Sequence, residues 1–169
     1  MTFRLLPRSR RAENDNEDRF RLIIRQYQEP LYRHIRRIVP THEDAEDALQ
    51  ETFIRAYQHI DDLRDQQSQK AWLYRIATNE ALRLCDKHPT TDITVDPPAD
   101  DTPDYEALQQ ALQQALATLP SRQRAVFTMR HYEDMSYEDI AIALDSNVKA
   151  VTANFHLAKE RIKEILLQL

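Results

Sequence analysis

The side chains best placed to do chemistry in this chain are cationic and hydrogen-bonding groups strung along one helical face. Residues 136–163 read SYEDIAIALDSNVKAVTANFHLAKERIK. At about 100° per residue, Lys149, Thr152, His156, Lys159 and Lys163 gather on one side and Val148, Val151, Phe155, Ala158, Ile162 and Ile165 on the other. Such a face contacts phosphates and base edges; it breaks no bonds. Ser136 with Asp139 has the form of a capping box, and Asn147 is a second good cap. A short helix, a tight turn and a longer amphipathic helix make a helix-turn-helix, whose second helix reads the DNA major groove. An ordinary helical hairpin with a solvated lysine face fits the same stretch.

Two further constellations have binding chemistry. In residues 70–87, KAWLYRIATNEALRLCDK, the side chains of Trp72, Arg75, Asn79, Arg83 and Asp86 share an arc. An aromatic ring offers a stacking platform to an unpaired base and arginine neutralises phosphate, so the arc suits melted single strand. Trp72 as a core residue at the edge of the apolar stripe is the competing account. In residues 43–54, the exposed arc of Glu43, Asp47, Gln50 and Ile54 surrounds one isoleucine with acids and an amide. It is either a solvated acidic face or a docking patch for a basic protein partner.

Catalysis has no such constellation. There is no Gly-rich phosphate loop and no nucleophile beside a base at a recognisable motif, so we expect no enzyme and no cofactor. Cys85 and His88 have C-x-x-H spacing, but two ligands do not make a zinc site and no metal is expected.

The elements that position these faces are legible from periodicity. The 169-residue chain has no glycine, 30% charged residues, a net charge of −5 and a single cysteine. No apolar run is long enough to cross a bilayer and no disulfide can form within the chain, which suits a cytoplasmic protein. Phe20, Ile23, Ile24, Tyr27, Leu31, Ile35 and Ile38 predict a first helix with a kink or break at Pro30 and an end at Pro40. Thr41 with Asp44 caps a second helix reaching about His59, and a third runs from about Gln69 to Lys87. Pro89 to Pro103 is a proline- and aspartate-rich linker. Beyond it, apolar spacing from Tyr105 to Leu116, a break at Leu119 and Pro120, and a cap at Ser121 predict two more helices before the opening motif. The fold class is therefore all-α, two small helical domains joined by an acidic flexible linker. The expected boundaries are a basic disordered tail at 1–16, a first domain at 17–88, the linker at 89–104 and a four-helix helix-turn-helix domain at 105–169.

Taken in order, DAEDALQETFIRAY (residues 44–57), AWLYRIATNEAL (71–82), an acidic linker and LPSRQRAVFTMRHYEDMSYEDIAIAL (119–144) strongly resemble a bacterial RNA polymerase sigma factor of the small, extracytoplasmic-function group of the sigma-70 family. The resemblance covers nearly the whole chain from about residue 17. It implies a dissociable specificity subunit that binds core RNA polymerase and directs promoter recognition and transcription initiation. It implies docking on the clamp helices of the polymerase large subunit through Asp44, Asp47, Gln50, Glu51 and Ile54. It implies that the minus-ten element is melted and held by Trp72, Arg75, Asn79 and Arg83. The second domain, resting on the polymerase flap, would read the minus-thirty-five duplex through Lys149, Thr152, Ala153, His156 and Lys159, with Arg122 and Arg124 as phosphate contacts. An anti-sigma factor as inhibitory partner is a further implication.

Relatives usually place glycine in the helix-turn-helix turn and at the entry to the second helix, where this chain has Asp145 and Lys149. Aspartate reaches the left-handed backbone region more readily than most residues, so Asp145 is tolerable in the turn but strained relative to glycine, and the sequence leaves the geometry of the turn open. Relatives also often end the minus-ten helix with an arginine pair, where this chain has Cys85, Asp86 and Lys87. The competing reading is a free-standing helix-turn-helix regulator that binds a palindrome as a dimer.

Overall fold

The computed structural model describes residues 10–63, 66–88 and 103–168. Seven α-helices and one short 3₁₀ turn (Ile60–Asp62) account for the described residues: α1 (Arg10–Arg36), α2 (His42–Gln58), α3 (Gln66–Lys87), α4 (Pro103–Ala117), α5 (Ser121–His131), α6 (Tyr137–Ala143) and α7 (Val148–Leu167). The acidic stretch expected to link two units lies outside the described residues, except for the start of α4.

The start and middle of α1 differ from expectation. The helix begins at Arg10, so the second half of the expected disordered tail is helical, while Arg4 and Arg8 lie outside the described residues. Asn16 on this turn donates to Asp61 at 2.8 Å, and Arg19 donates to the Leu63 carbonyl, contacts to the chain after α2 that hydropathy does not register. Pro30 lies inside α1 without breaking it. Proline removes the hydrogen bond to the carbonyl of residue 26, and Gln26 is exposed, so the break falls on the solvent side of the helix.

Three of the four expected caps form. The Thr41, Ser136 and Asn147 side chains accept from the backbone N–H groups of Asp44, Asp139 and Ala150 at 3.1, 3.1 and 2.8 Å. Each satisfies one donor that the first helical turn leaves free. Ser121 does not cap α5: it is the first helical residue, and the cap position is Pro120, which has no side chain able to accept.

Helices α1, α2 and α3 bury Ile23, Leu31, Ile35, Ile38, Ala45, Ala48, Ala56, Leu73, Ala77 and Ala81 against one another. The same apolar cluster continues without a gap into the C-terminal half through Ala125, Val126, Met129, Ile140, Ala141 and Leu144. A second cluster, Ala115, Leu116, Leu119, Phe127, Ala158 and Ile162, joins α4, α5 and α7. The halves are therefore packed together, with α3 against α5 and α6. A polar seam runs along the contact. Arg124 Nε donates to the Ile38 carbonyl at 2.8 Å and Asn79 Nδ2 to the Ala143 carbonyl at 3.2 Å. The Arg37 guanidinium stacks 3.9 Å from the centre of the Tyr132 ring.

The glycine-free turn closes as a Schellman motif. The Ser146 N–H bonds the Ala141 carbonyl at 2.8 Å and the Asp145 N–H bonds the Ile142 carbonyl at 3.3 Å, with Asp145 in the left-handed region at φ 49°. These are the two reversed hydrogen bonds by which such a turn satisfies carbonyls at a helix end. Asp145→Gly should raise stability by about 0.5–1 kcal/mol and Asp145→Val should lower it by about 1–2 kcal/mol, because a β-branched side chain is hindered at positive φ. Urea denaturation followed by circular dichroism measures both.

A second test concerns the join between α2 and α3. Glu80 is 4% exposed and accepts from Arg55 Nε at 2.8 Å and from Arg83 Nε at 2.9 Å. Glu80→Ala should cost about 2 kcal/mol in the same experiment, since it strips a buried carboxylate from two arginines.

Candidate protein-docking and nucleic-acid faces

On α2, the cap at Thr41 turns the helix so that Glu43, Asp47, Gln50 and Ile54 point outward. Ile54 is 44% exposed, an apolar group in the middle of acids and an amide. Glu51 is half-buried and accepts from Arg55 one turn on, at 3.1 Å. Asp44 does not join this face. It is 7% exposed and turned toward the end of α3, where its carboxylate lies 3.2 Å from His88 Nδ1. The first-turn position explains this: Asp44 sits three residues after the cap, on the side of α2 that packs against α3.

Beside the acidic face lies a groove between α1 and α2, about 700 Å³ in volume, with Ile24, Tyr32, Leu49 and Phe53 among its walls and Arg25, Glu29 and Glu46 at its edges. Sequence reasoning missed it. Its apolar residues belong to two separate helical stripes, and only the crossing of the helices leaves a gap between them.

On α3, Arg75, Asn79 and Arg83 are exposed, whereas Trp72 is half-buried against the apolar cluster. Arg83 is held by Glu80, a residue the sequence gave no reason to single out. An acid three residues before an arginine on a helix was the available signal. The Asn79 amide is engaged by the Ala143 carbonyl of α6, so one member of the arc expected to hold melted strand is turned to the other half of the molecule.

On α7, the Asn147 cap leaves Lys149, Ala153, His156 and Lys159 exposed and Thr152 half-buried. The Thr152 hydroxyl donates to the Val148 carbonyl at 2.7 Å, and Lys159 Nζ sits 5.6 Å from the centre of the Phe155 ring. The first turn of α7 therefore combines free backbone donors, a helix-dipole field and a lysine, all favourable to phosphate and base-edge contact.

The two arginines expected to touch phosphate are placed differently from each other. Arg122 is exposed and donates to the Leu144 carbonyl at 2.8 Å, closing the end of α6. Arg124 is 5% exposed, and its donors go to the carbonyls of Ile38, Leu119 and Ala117, at 2.8, 3.1 and 3.4 Å. In this arrangement Arg124 presents nothing to DNA. It faces inward because α5 is covered on both sides, a circumstance that the pattern of α5 alone does not announce.

Cys85 donates to the Ile38 carbonyl at 3.5 Å, and burial pushes its thiol pKa up despite the Arg124 guanidinium beside it. His88 Nδ1 lies 3.2 Å from the Asp44 carboxylate, and among the described residues no group of three or more potential ligands is placed to hold a metal ion. No helix of the described residues is long and apolar enough to cross a membrane.

A family model described as Sigma-70 region 2 matches residues 23–89, and one described as Sigma-70, region 4 matches residues 109–162. The chain is 33% identical over 152 residues to an RNA polymerase sigma-E factor of Streptomyces avermitilis, covering 87% of this chain and 84% of that protein. It is 30% identical over 171 residues to an ECF RNA polymerase sigma-E factor of Haemophilus influenzae, covering 90% of each. Among solved structures, the sigma factor RpoE of Bartonella quintana, in complex with the anti-sigma factor NepR, superposes with a TM-score of 0.72 at 21% identity over 87% of this chain and 96% of that one. CnrH in complex with the cytosolic domain of CnrY does so with a TM-score of 0.67 at 23% identity over 92% of each. These two likenesses are of fold. Nothing in the comparisons favours a free-standing dimeric regulator. An all-helical chain that carries both sigma-70 regions in order, and that aligns almost end to end with such relatives, belongs to the extracytoplasmic-function group of the sigma-70 family, the RNA polymerase subunits that direct promoter recognition at transcription initiation.

Proposed function

We propose that this sigma factor works as a cytoplasmic, non-catalytic specificity subunit through three faces, and that the packed arrangement of its halves is a resting form. The first domain, residues 17–88, docks on the polymerase clamp helices through Asp47, Gln50, Glu51 and Ile54 of α2, with Asp44 supporting the helix from within. Its α3 holds the melted minus-ten strand through Trp72, Arg75, Asn79 and Arg83. The second domain, residues 105–169, rests on the flap and reads the minus-thirty-five duplex through Lys149, Thr152, Ala153, His156 and Lys159 of α7, with Arg122, and Arg124 once freed, on phosphates. The observation that carries this is the N-terminal turn of α7: capped by Asn147, open to solvent and cationic.

The resting form follows from lengths. The two promoter elements are about 25 base pairs apart, roughly 85 Å of duplex at about 3.4 Å per pair. A compact chain of this size has a radius of gyration of only about 15 Å. Both elements are reached only if the halves part. The 15 residue steps from His88 to Pro103 span up to about 50 Å when extended, at about 3.3–3.6 Å each. Parting would also release Asn79 from Ala143 and Arg124 from Ile38. An anti-sigma partner, as NepR is in one structural neighbour, would act by holding or covering one of these forms. Co-purification of the chain from its host tests for one.

Run-off transcription with core polymerase and a promoter library tests the faces. Asp47→Lys should weaken assembly with core at least about tenfold, because it reverses a charge on the acidic surround of Ile54 in the docking face. Lys149→Glu should leave assembly intact and lower output about tenfold or more on promoters that depend on the minus-thirty-five element. Normal assembly by the Asp47 variant would remove α2 from the docking role.

A further inference from the structure

One buried carboxylate joins the helix proposed to dock on polymerase to the helix proposed to hold melted strand. Glu80, on α3, is 4% exposed and keeps one oxygen for each of two arginines. Its Oε1 accepts from Arg55 Nε of α2 at 2.8 Å, and its Oε2 accepts from Arg83 Nε, three residues further along α3, at 2.9 Å. The Arg55 Nε–H is divided, since Glu51 Oε1 also lies 3.1 Å from it. Glu51, Arg55, Glu80 and Arg83 therefore alternate in charge across the α2–α3 contact, and only Glu80 among them is buried.

The consequence for Arg83 is geometric. An arginine free on a helix surface samples many rotamers, and binding has to order it. Here the Nε edge of Arg83 is already fixed by a carboxylate that Arg55 locks in place, while half of the side chain stays exposed. Its Nη groups have no partner among the described residues, so the open edge of the plane keeps donors in the spacing that suits phosphate oxygens. Arg83 follows Asn79 by four residues, which puts both on one face of α3. The two differ in what holds them. Asn79 is tied to Ala143 of the other half, whereas the contacts that fix Arg83 lie within α2 and α3. Arg83 is thus set in the same place whether or not the halves part.

We infer that Glu80 is a positioning residue for strand binding: its buried carboxylate fixes the Arg83 guanidinium so that the open edge meets a phosphate of the melted strand without first having to be ordered. This role rests on the reading of α3 as the strand-holding helix, and it makes one contact of that helix ready in advance. Two effects of Glu80 oppose each other. Its charge offsets part of the pull of Arg83 on phosphate, and its fixed geometry removes the cost of ordering the guanidinium. Shared between two guanidiniums, the carboxylate supplies Arg83 with less than a full opposing charge, and the ordering prevails.

Holoenzyme assembled from the full chain and core polymerase, titrated at several salt concentrations with a fluorescein-labelled single strand of a promoter chosen from the library, tests this by anisotropy. Arg83→Ala should weaken strand binding about tenfold and reduce the slope of log K against log salt by about 0.7, the share of one phosphate on single strand. Glu80→Gln keeps the size and loses the charge; it should weaken binding about threefold or more and reduce the slope as well. In an Arg83→Ala background it should add nothing, a result that simple loss of folded protein would not reproduce. Arg83→Lys keeps the charge at an exposed position where the fold is not at stake, and holds the test open should Glu80→Gln not fold. It should also weaken binding about threefold or more, since an ammonium cannot hold Glu80 with one nitrogen and offer two others to phosphate. Tighter binding by Glu80→Gln, an additive loss in the double variant or wild-type affinity in Arg83→Lys would each overturn the positioning role. Wild-type affinity in Arg83→Ala removes Arg83 from the strand-holding reading and the positioning role with it. A weakened Arg83→Ala beside an unchanged Glu80→Gln overturns the positioning role alone.

Discussion

One side chain gathers more of this molecule than any other. Arg124 comes from α5, yet its donors reach the last carbonyls of α4, the carbonyl of Ile38 beyond the end of α1, and the sulfur of Cys85 near the end of α3. Helix ends are where backbone acceptors lack partners, and a guanidinium supplies five donors in one rigid plane. Three helices can therefore finish at one place without burying unsatisfied carbonyls. The packing of the two halves depends on that convergence: remove the donors, and the acceptors must be returned to water, which means opening the contact.

The position also bears on the proposed parting of the two halves. The seam mixes apolar burial with polar contacts made largely to backbone: Arg124 to Ile38 and Asn79 to Ala143. Charged and amide groups at such a seam lose little on separation, since water replaces the carbonyls they leave. A wholly apolar seam would lack that exchange. Asn79 and Arg124 are also among the groups proposed to contact nucleic acid, and in the packed arrangement both are engaged by the protein's own carbonyls.

How much of this was legible in the residues differs by kind. Local rules identified the caps at Thr41, Ser136 and Asn147, because each depends on neighbours three residues away. The outward arc of Asp47, Gln50 and Ile54 and the exposed face of α7 followed from helical period. Pro30 and the first turn of α1 misled, since the helix tolerates a missing donor where the acceptor faces solvent. Asp44, Glu80 and Arg124 could not be placed from their own helices. Each is a charged residue made internal by a partner distant in sequence, His88, Arg55 and Ile38 in turn. Periodicity says which face is apolar; it does not say what covers the polar remainder.

The turn at Asp145 has an effect beyond backbone shape. Where glycine would be electrically silent, this chain places a carboxylate two residues before the cap of α7, at the end of the helix proposed to meet the duplex. That charge favours the helix dipole and opposes incoming phosphates. On the proposed docking it would subtract from the counterion release that drives association, making promoter binding less sensitive to ionic strength and more dependent on base-edge contacts. A residue selected to bend the chain thereby also sets the balance between holding DNA and reading it.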